Sequence, residues 1–276
     1  MSKADIIFMQ NMHDIIDHGY SDENAQVRPH WLDGTPAHTK KLFCIVNRYN
    51  LQEEFPVITL RRTAFKNAVD ELLWIWQKKS NNVHDLHSHI WDSWADETGS
   101  IGKAYGYQLG VKHRYKEGMF DQVDRVLYDL KQNPASRRII TNIYVHSDLS
   151  EMHLYPCAYS VTFNVTDGKL NAILNQRSND MAVANNWNVV QYAVLVHMFA
   201  QVSGLQVGEL VHVIADAHIY DRHIPQVERM LQGTPLPAPK FVINKDITDF
   251  YKFTVDDVAL ENYQFQPFSE KFEVAI

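Results

Sequence analysis

The sequence predicts an α/β (α+β) protein built on one large mixed β-sheet layered with helices. Three observations predict it. Segments that alternate or run β-branched, such as residues 158–165, interleave with segments whose apolar residues fall three and four apart. The turn Thr166-Asp167-Gly168-Lys169 joins two of the strand-like segments into a hairpin. A chain of 276 residues, 45% hydrophobic and 21% charged, is long and apolar enough to bury a large core.

Taken in order, residues 5–19 read as a helix stopped by Gly19. Residues 21–39 are polar and turn-rich. Residues 43–49 and 56–60 read as strands. From Thr63, a helix N-cap by residue type, Phe65, Ala68, Val69, Leu72, Leu73 and Trp76 mark one helical face, with Glu71 in its middle. Residues 122–133 form a second amphipathic helix. Residues 138–144 and 158–165 read as strands, the latter paired through the hairpin with 170–176. Residues 189–203, mostly apolar and closed by Gly204, read as a buried helix, and 207–214 as another strand. There is no internal repeat. The proline-rich run 233–239 is a surface loop too short for a linker, so residues 1–276 are expected to be a single domain.

The net charge of −7 supplies no global basic field, so nucleic acid is not an expected partner, and an anionic ligand needs a local cluster of arginines. Two cysteines, Cys44 and Cys157, cannot build a disulfide framework, which fits a reducing compartment. Met1-Ser2-Lys3-Ala4-Asp5 lacks the apolar run of a signal peptide, and no stretch reaches the roughly 18 apolar residues that span a bilayer. A cytoplasmic protein is expected.

Four stretches carry candidate chemistry. Arg137-Arg138 opens a strand, where successive side chains face opposite sides; such pairs also occur as solvated surface charge. Gln176-Arg177-Ser178-Asn179-Asp180 sets a planar guanidinium beside a hydroxyl, a pairing suited to an anion, with an aspartate able to accept from a ligand N–H. Asp216, His218 and Tyr220 alternate along a strand and project to one side. Ile90-Trp91-Asp92-Ser93-Trp94 offers a flat apolar wall for a ring, or ordinary core packing. A lone cysteine such as Cys157 is by itself more often a packing residue than a nucleophile.

The joint order of these pieces resembles the thymidylate synthase family. The run comprises Tyr155-Pro156-Cys157, Asp167-Gly168-Lys169-Leu170, Gln176-Arg177-Ser178-Asn179-Asp180, Asn188, Gln191-Tyr192, Gly208-Glu209 and Asp216-Ala217-His218-Ile219-Tyr220. Upstream, Phe55-Pro56-Val57-Ile58-Thr59, Asp70-Glu71-Leu72-Leu73-Trp74 and Tyr105-Gly106 also match, and the chain ends at Val274-Ala275-Ile276 as the family does. Asp33-Gly34-Thr35-Pro36 and Ser178-Asn179-Asp180-Met181-Ala182 look most like the branch found in bacilli and their phages.

The resemblance implies reductive methylation of dUMP to dTMP, with 5,10-methylenetetrahydrofolate donating the one-carbon unit and the hydride, and no metal. Cys157 then matches the nucleophile that adds to C6 of uracil, a role needing the thiolate. Arg177 matches the arginine beside that sulfur, expected to lower its pKa. Glu71 and Tyr105 match the residues of proton transfer. Asn188 matches the reader of the uracil edge, offering both an acceptor and a donor. Asp180 matches the pterin contact. Arg28, Gln176, Arg177, Ser178, Asp180, Asn188, His218 and Tyr220 match the dUMP site. Arg137 and Arg138 are expected from the other subunit of a homodimer formed through the sheet. Arg61, Ile90, Trp91, Trp94, Leu154, Asp180, Ala184, Trp187 and Ala275 match the folate side, and the C-terminal tail is expected to close over the ligands.

Departures cluster near the folate. Ala158 stands where histidine is usual. Val183-Ala184-Asn185-Asn186-Trp187 replaces Leu-Gly-x-Pro-Phe, and Ala184 would force a backbone shift if the glycine there used positive φ. Trp187 would narrow the folate pocket, and Ala215 replaces another glycine. Two alternatives follow: a dUMP 5-hydroxymethylase of the same family, in which water replaces the hydride, and a non-catalytic nucleotide- or RNA-binding protein.

Overall fold

A computed structural model describes residues 1–276. In chain order its helices and strands are α1 (Lys3–His18), β1 (Tyr20–Ser21), β2 (Thr39–Asn50), α2 (Phe65–Trp76), α3 (Gly106–Gly110), β3 (His113–Tyr115), β4 (Gly118–Phe120), α4 (Gln122–Gln132), β5 (Ile139–Asn142), β6 (Ala158–Thr166), β7 (Lys169–Gln176), β8 (Asn179–Asp180), α5 (Asn185–Val202), β9 (Gln206–Tyr220), α6 (Ile224–Leu231), β10 (Lys240–Ile243) and β11 (Val258–Glu261). Seven strands make one mixed sheet in the order β1-β2-β9-β7-β6-β5, with β8 also pairing β9. β7 and β8 run parallel to β9, and the other neighbours are antiparallel. The β6–β7 hairpin turns on Asp167 and Gly168, at φ 52° and 69°, the paired positive values of a tight two-residue turn.

The helices cover one face of the sheet. α5 is mostly buried and packs against α2, β7 and β9. A large core joins α2 and α5 to β6 and β7, while α1 and α6 close a smaller one over the end of β9. Trp74, Phe163 and Phe199 are fully buried there, and truncating one such aromatic costs about 3–5 kcal/mol. The opposite face leaves Phe43 88% exposed, with Val46, Ile140 and Ile173 open beside it. No helix is long and apolar enough to cross a membrane.

β9 is longer than its apolar pattern indicates. Cys44 on the neighbouring β2 has φ 58°, and past this kink the buried side chains of β9 pass from Leu210, His212 and Ile214 to Ala217 and Ile219. Asp216, His218 and Tyr220 are thereby turned away from the small core.

Three local expectations fail. Residues 56–60 are not a strand, because side chains satisfy the donors a neighbouring strand would take: Ile58 N–H donates to Asn186, and the Thr59 and Leu60 N–H groups to Asp5. Thr63 does not cap α2, since its hydroxyl donates to Asn186 at 2.9 Å and the helix begins at Phe65. The expected strand 138–144 shrinks to β5, because the Gln122 amide takes both the N–H and the C=O of Asn142.

Candidate active site

The site gathers where β6 begins and β7 and β8 end, beside the first turn of α5. Cys157 precedes β6, half-buried. Arg177, just past β7, donates from its backbone N–H to the Cys157 carbonyl at 2.9 Å. Its Nε donates to the Pro156 carbonyl at 3.0 Å, and its Nη2 to the Tyr155 carbonyl at 2.7 Å and toward Cys157 Sγ at 3.6 Å. These bonds fix the guanidinium and leave Nη1 open to an anion. Burial pushes the Cys157 thiol up, while the Arg177 charge, the Tyr105 hydroxyl and the Arg28 charge pull it down. Burial wins, so the thiol stays above its ordinary range despite Arg177.

Tyr105 lies behind the nucleophile. Its hydroxyl accepts from the Cys157 N–H at 3.2 Å, and its ring meets Trp91 edge-on at 4.8 Å. Its backbone is held at φ 46°, a conformation that costs a non-glycine residue of order 1–3 kcal/mol. The next residue must be glycine: a Cβ on Gly106 would come within 2.3 Å of the Ser80 carbonyl oxygen. Burial raises the Tyr105 phenol well above its usual range, and both Cys157 and Glu71 add to this.

Glu71 is buried in α2 and meets only donors. Trp91 Nε1 donates to Oε1 at 2.7 Å; Gln191 Nε2 donates to Oε2 at 2.7 Å, and Trp187 Nε1 donates to the same oxygen. Burial pushes its carboxyl up, and the indole and amide donors resist. Gln191 also accepts from Asn188 Nδ2 at 3.3 Å. Asn188 Oδ1 in turn accepts from Gln176 at 3.1 Å and Asn179 at 3.3 Å. Gln176 is oriented by His212, whose Nε2 lies 2.7 Å from Gln176 Oε1. Burial drives His212 down to about 3, so it is neutral and its Nε2–H donates. A continuous line of hydrogen bonds therefore runs from Glu71 through Asn188 to His212.

His218 Nδ1 lies 2.8 Å from Asp216 Oδ1, and its ring meets Tyr220 at 5.2 Å. Tyr220, raised to about 12 by burial, lies within electrostatic reach of Asp180, Arg28 and Cys157. Ser178 is half-buried and Arg28 exposed. Arg137 and Arg138 are also exposed, but they are not among the groups acting on Cys157.

On the expected folate side, Trp91 is buried, Trp94 meets it edge-on at 5.6 Å, Leu154 is half-buried and Ile90 exposed. Ala184 has φ −98° and ψ −20°, ordinary right-handed backbone that needs no glycine. Asp180 spends Oδ1 on the N–H groups of Ala182 and Val183, leaving Oδ2 for a ligand. Arg61 turns inward, donating to the Ala182 carbonyl at 2.5 Å and lying over the Phe272 ring, so of the pair Arg61-Arg62 only Arg62 is exposed. The tail holding Ala275 is pinned where Ile276 and His30 exchange backbone bonds at 2.9 and 3.0 Å. Sequence reading missed Gln191, His212 and the indole N–H of Trp187 as polar partners in this site. The one available signal was spacing, since Trp187, Asn188 and Gln191 fall within a single helical turn.

Comparison with known proteins points to one family. A family model described as thymidylate synthase matches residues 6–276. The chain is 46% identical over 269 residues to a thymidylate synthase of Bacillus subtilis subsp. natto, covering 96% of each, and equally to one of Bacillus phage phi3T. The solved thermostable thymidylate synthase A of Bacillus subtilis superposes with a TM-score of 0.95 at 44% identity, covering 100% of both chains.

Proposed function

Because this chain belongs to the thymidylate synthase family, we propose that it converts dUMP to dTMP and acts as a homodimer. The observation that carries the reading is the convergence of Cys157, Arg177 and Tyr105 with a buried Glu71 tied by hydrogen bonds to Asn188.

The reading assigns the following roles. The Cys157 thiolate bonds to C6 of the uracil, and the displaced electron pair makes C5 nucleophilic. Arg177 Nη1, Arg28 and Ser178 bind the 5′-phosphate, whose charge partly screens the arginines once bound. Asn188 presents its amide to the O4 and N3–H edge, held in one orientation by Gln176 and Gln191. His218 and Tyr220 meet the sugar. Methylenetetrahydrofolate supplies the methylene carbon and, on becoming dihydrofolate, the hydride, so no other reductant is required. Tyr105 and Glu71 handle the proton lost from C5, and the C6–sulfur bond then breaks to regenerate Cys157 and the C5–C6 double bond. Trp91, Trp94, Leu154 and Trp187 fit a flat pterin as a wall, with Asp180 Oδ2 as acceptor. Ala275 and its neighbours exclude water.

The exposed apolar side chains of the open sheet face, Phe43, Val46, Ile140 and Ile173, support dimerisation there. Arg137 and Arg138 precede the edge strand β5 of that sheet, a position that supports their assignment to the partner's phosphate site.

Release of tritium from C5-labelled dUMP tests the reading. The wild-type protein is expected to release it only with the folate present, and Cys157→Ala not at all. No release from wild type under any folate condition would refute the proposal.

A further inference from the structure

We propose that Trp187 is a positioning residue for Glu71: with Gln191, four residues on along α5, it forms a two-donor clamp on one carboxylate oxygen and so couples the proton-handling group to Asn188. The inference rests on the reaction assigned above, and it gives Trp187 a role beyond walling the folate pocket.

The geometry is specific. Residues four apart on a helix share a face, and both Trp187 Nε1 and Gln191 Nε2 reach Glu71 Oε2, while Trp91 Nε1 takes Oε1. Three donors and no acceptor surround the group. The ionised carboxylate accepts from all three donors, whereas a proton on Oε2 would compete with the two donors already there, so the clamp favours the ionised form. Gln191 cannot flip its amide without losing Asn188, because its Oε1 accepts from Asn188 Nδ2. The first two turns of α5 therefore join, in one rigid piece, two of the donors that hold Glu71 and the amide assigned to read the base. A phenylalanine at 187 would offer a similar ring to a folate but no N–H, so the two roles of Trp187 can be separated.

Trp187→Phe keeps the ring and removes the donor. Its turnover number is expected to fall about tenfold, since a hydrogen bond to a charged group is lost. The acid limb of the kcat profile should move to higher pH, because a carboxylate deprived of a donor protonates more readily. KM for dUMP should stay near the wild-type value. A rise in KM for the folate with an unmoved acid limb would overturn the proposal and leave Trp187 as wall only.

A readout independent of activity uses the indole N–H resonances of the six tryptophans. In the wild-type protein the Trp187 signal, assigned through its neighbours on α5, is expected downfield and protected from exchange. It should lose that displacement in Glu71→Gln. A Trp187 signal indifferent to that change would refute the clamp even if Trp187→Phe failed to fold. A wild-type protein that made no thymidylate would instead sink the assigned reaction, with the resonance still deciding the clamp.

Discussion

Arg177 grips Cys157 at two points: its backbone N–H donates to the Cys157 carbonyl at 2.9 Å, and its Nη2 lies 3.6 Å from the sulfur. The first contact ties the end of β7 to the start of β6. The second is the largest influence favouring the thiolate against a burial that disfavours it.

Removing that charge should therefore raise the thiol further. In Arg177→Ala, iodoacetamide alkylation of Cys157 is expected to reach its midpoint at a higher pH than in the wild-type protein. The sign follows from the thiolate being the reactive species: a higher pKa leaves less of it at any given pH. A midpoint that moved down, or stayed, would remove Arg177 from this role.

Asn188→Asp should change the preferred base. An aspartate offers only acceptors, which suits the amino group of cytosine and not the O4 of uracil. Turnover of dUMP is expected to fall by about two orders of magnitude or more, with deoxycytidylate gaining as a competitor. Competition assays with both nucleotides would show it.

Arginines shared across a dimer predict complementation. Cys157→Ala and the double variant Arg137→Ala, Arg138→Ala should each be nearly inactive. After unfolding and refolding together, half the dimers are hybrids with one intact site each, so about a quarter of wild-type activity should return. A mixture that stays inactive would place those arginines outside the partner's site.

Ala184→Gly should leave activity and fold intact and lower stability. At φ −98° the alanine is unstrained, so glycine adds only freedom to the unfolded chain, worth about 0.4–1 kcal/mol. A fall in Tm of a few degrees is expected by calorimetry. A rise would mean that strain at this position had gone unseen.

Much of this was legible in the residues. The hairpin at Asp167-Gly168 and the buried helix closed by Gly204 follow from local backbone and burial rules, and the structure has both. Residues 56–60 misled because their pattern is strand-like, yet their donors go to Asp5 and Asn186, which are 54 to 128 positions away in sequence and invisible to a local rule. The continuity of 207–214 with the strand of Asp216, His218 and Tyr220 was hidden by the kink at Cys44, which moves the buried side from even to odd positions. Cys157, Arg177, Glu71 and Asn188 could be named from their order along the chain. Gln191 was signalled only by its helical spacing from Asn188, and His212 by nothing, because its bond to Gln176 joins side chains 36 positions apart and leaves no trace in spacing.

The most direct test of the whole account is the identity of the nucleotide formed when the purified protein meets dUMP and methylenetetrahydrofolate. The expected product is heavier by one CH2, formed in step with the near-ultraviolet rise of dihydrofolate. A hydroxymethylated nucleotide without dihydrofolate, or no new nucleotide, would contradict it.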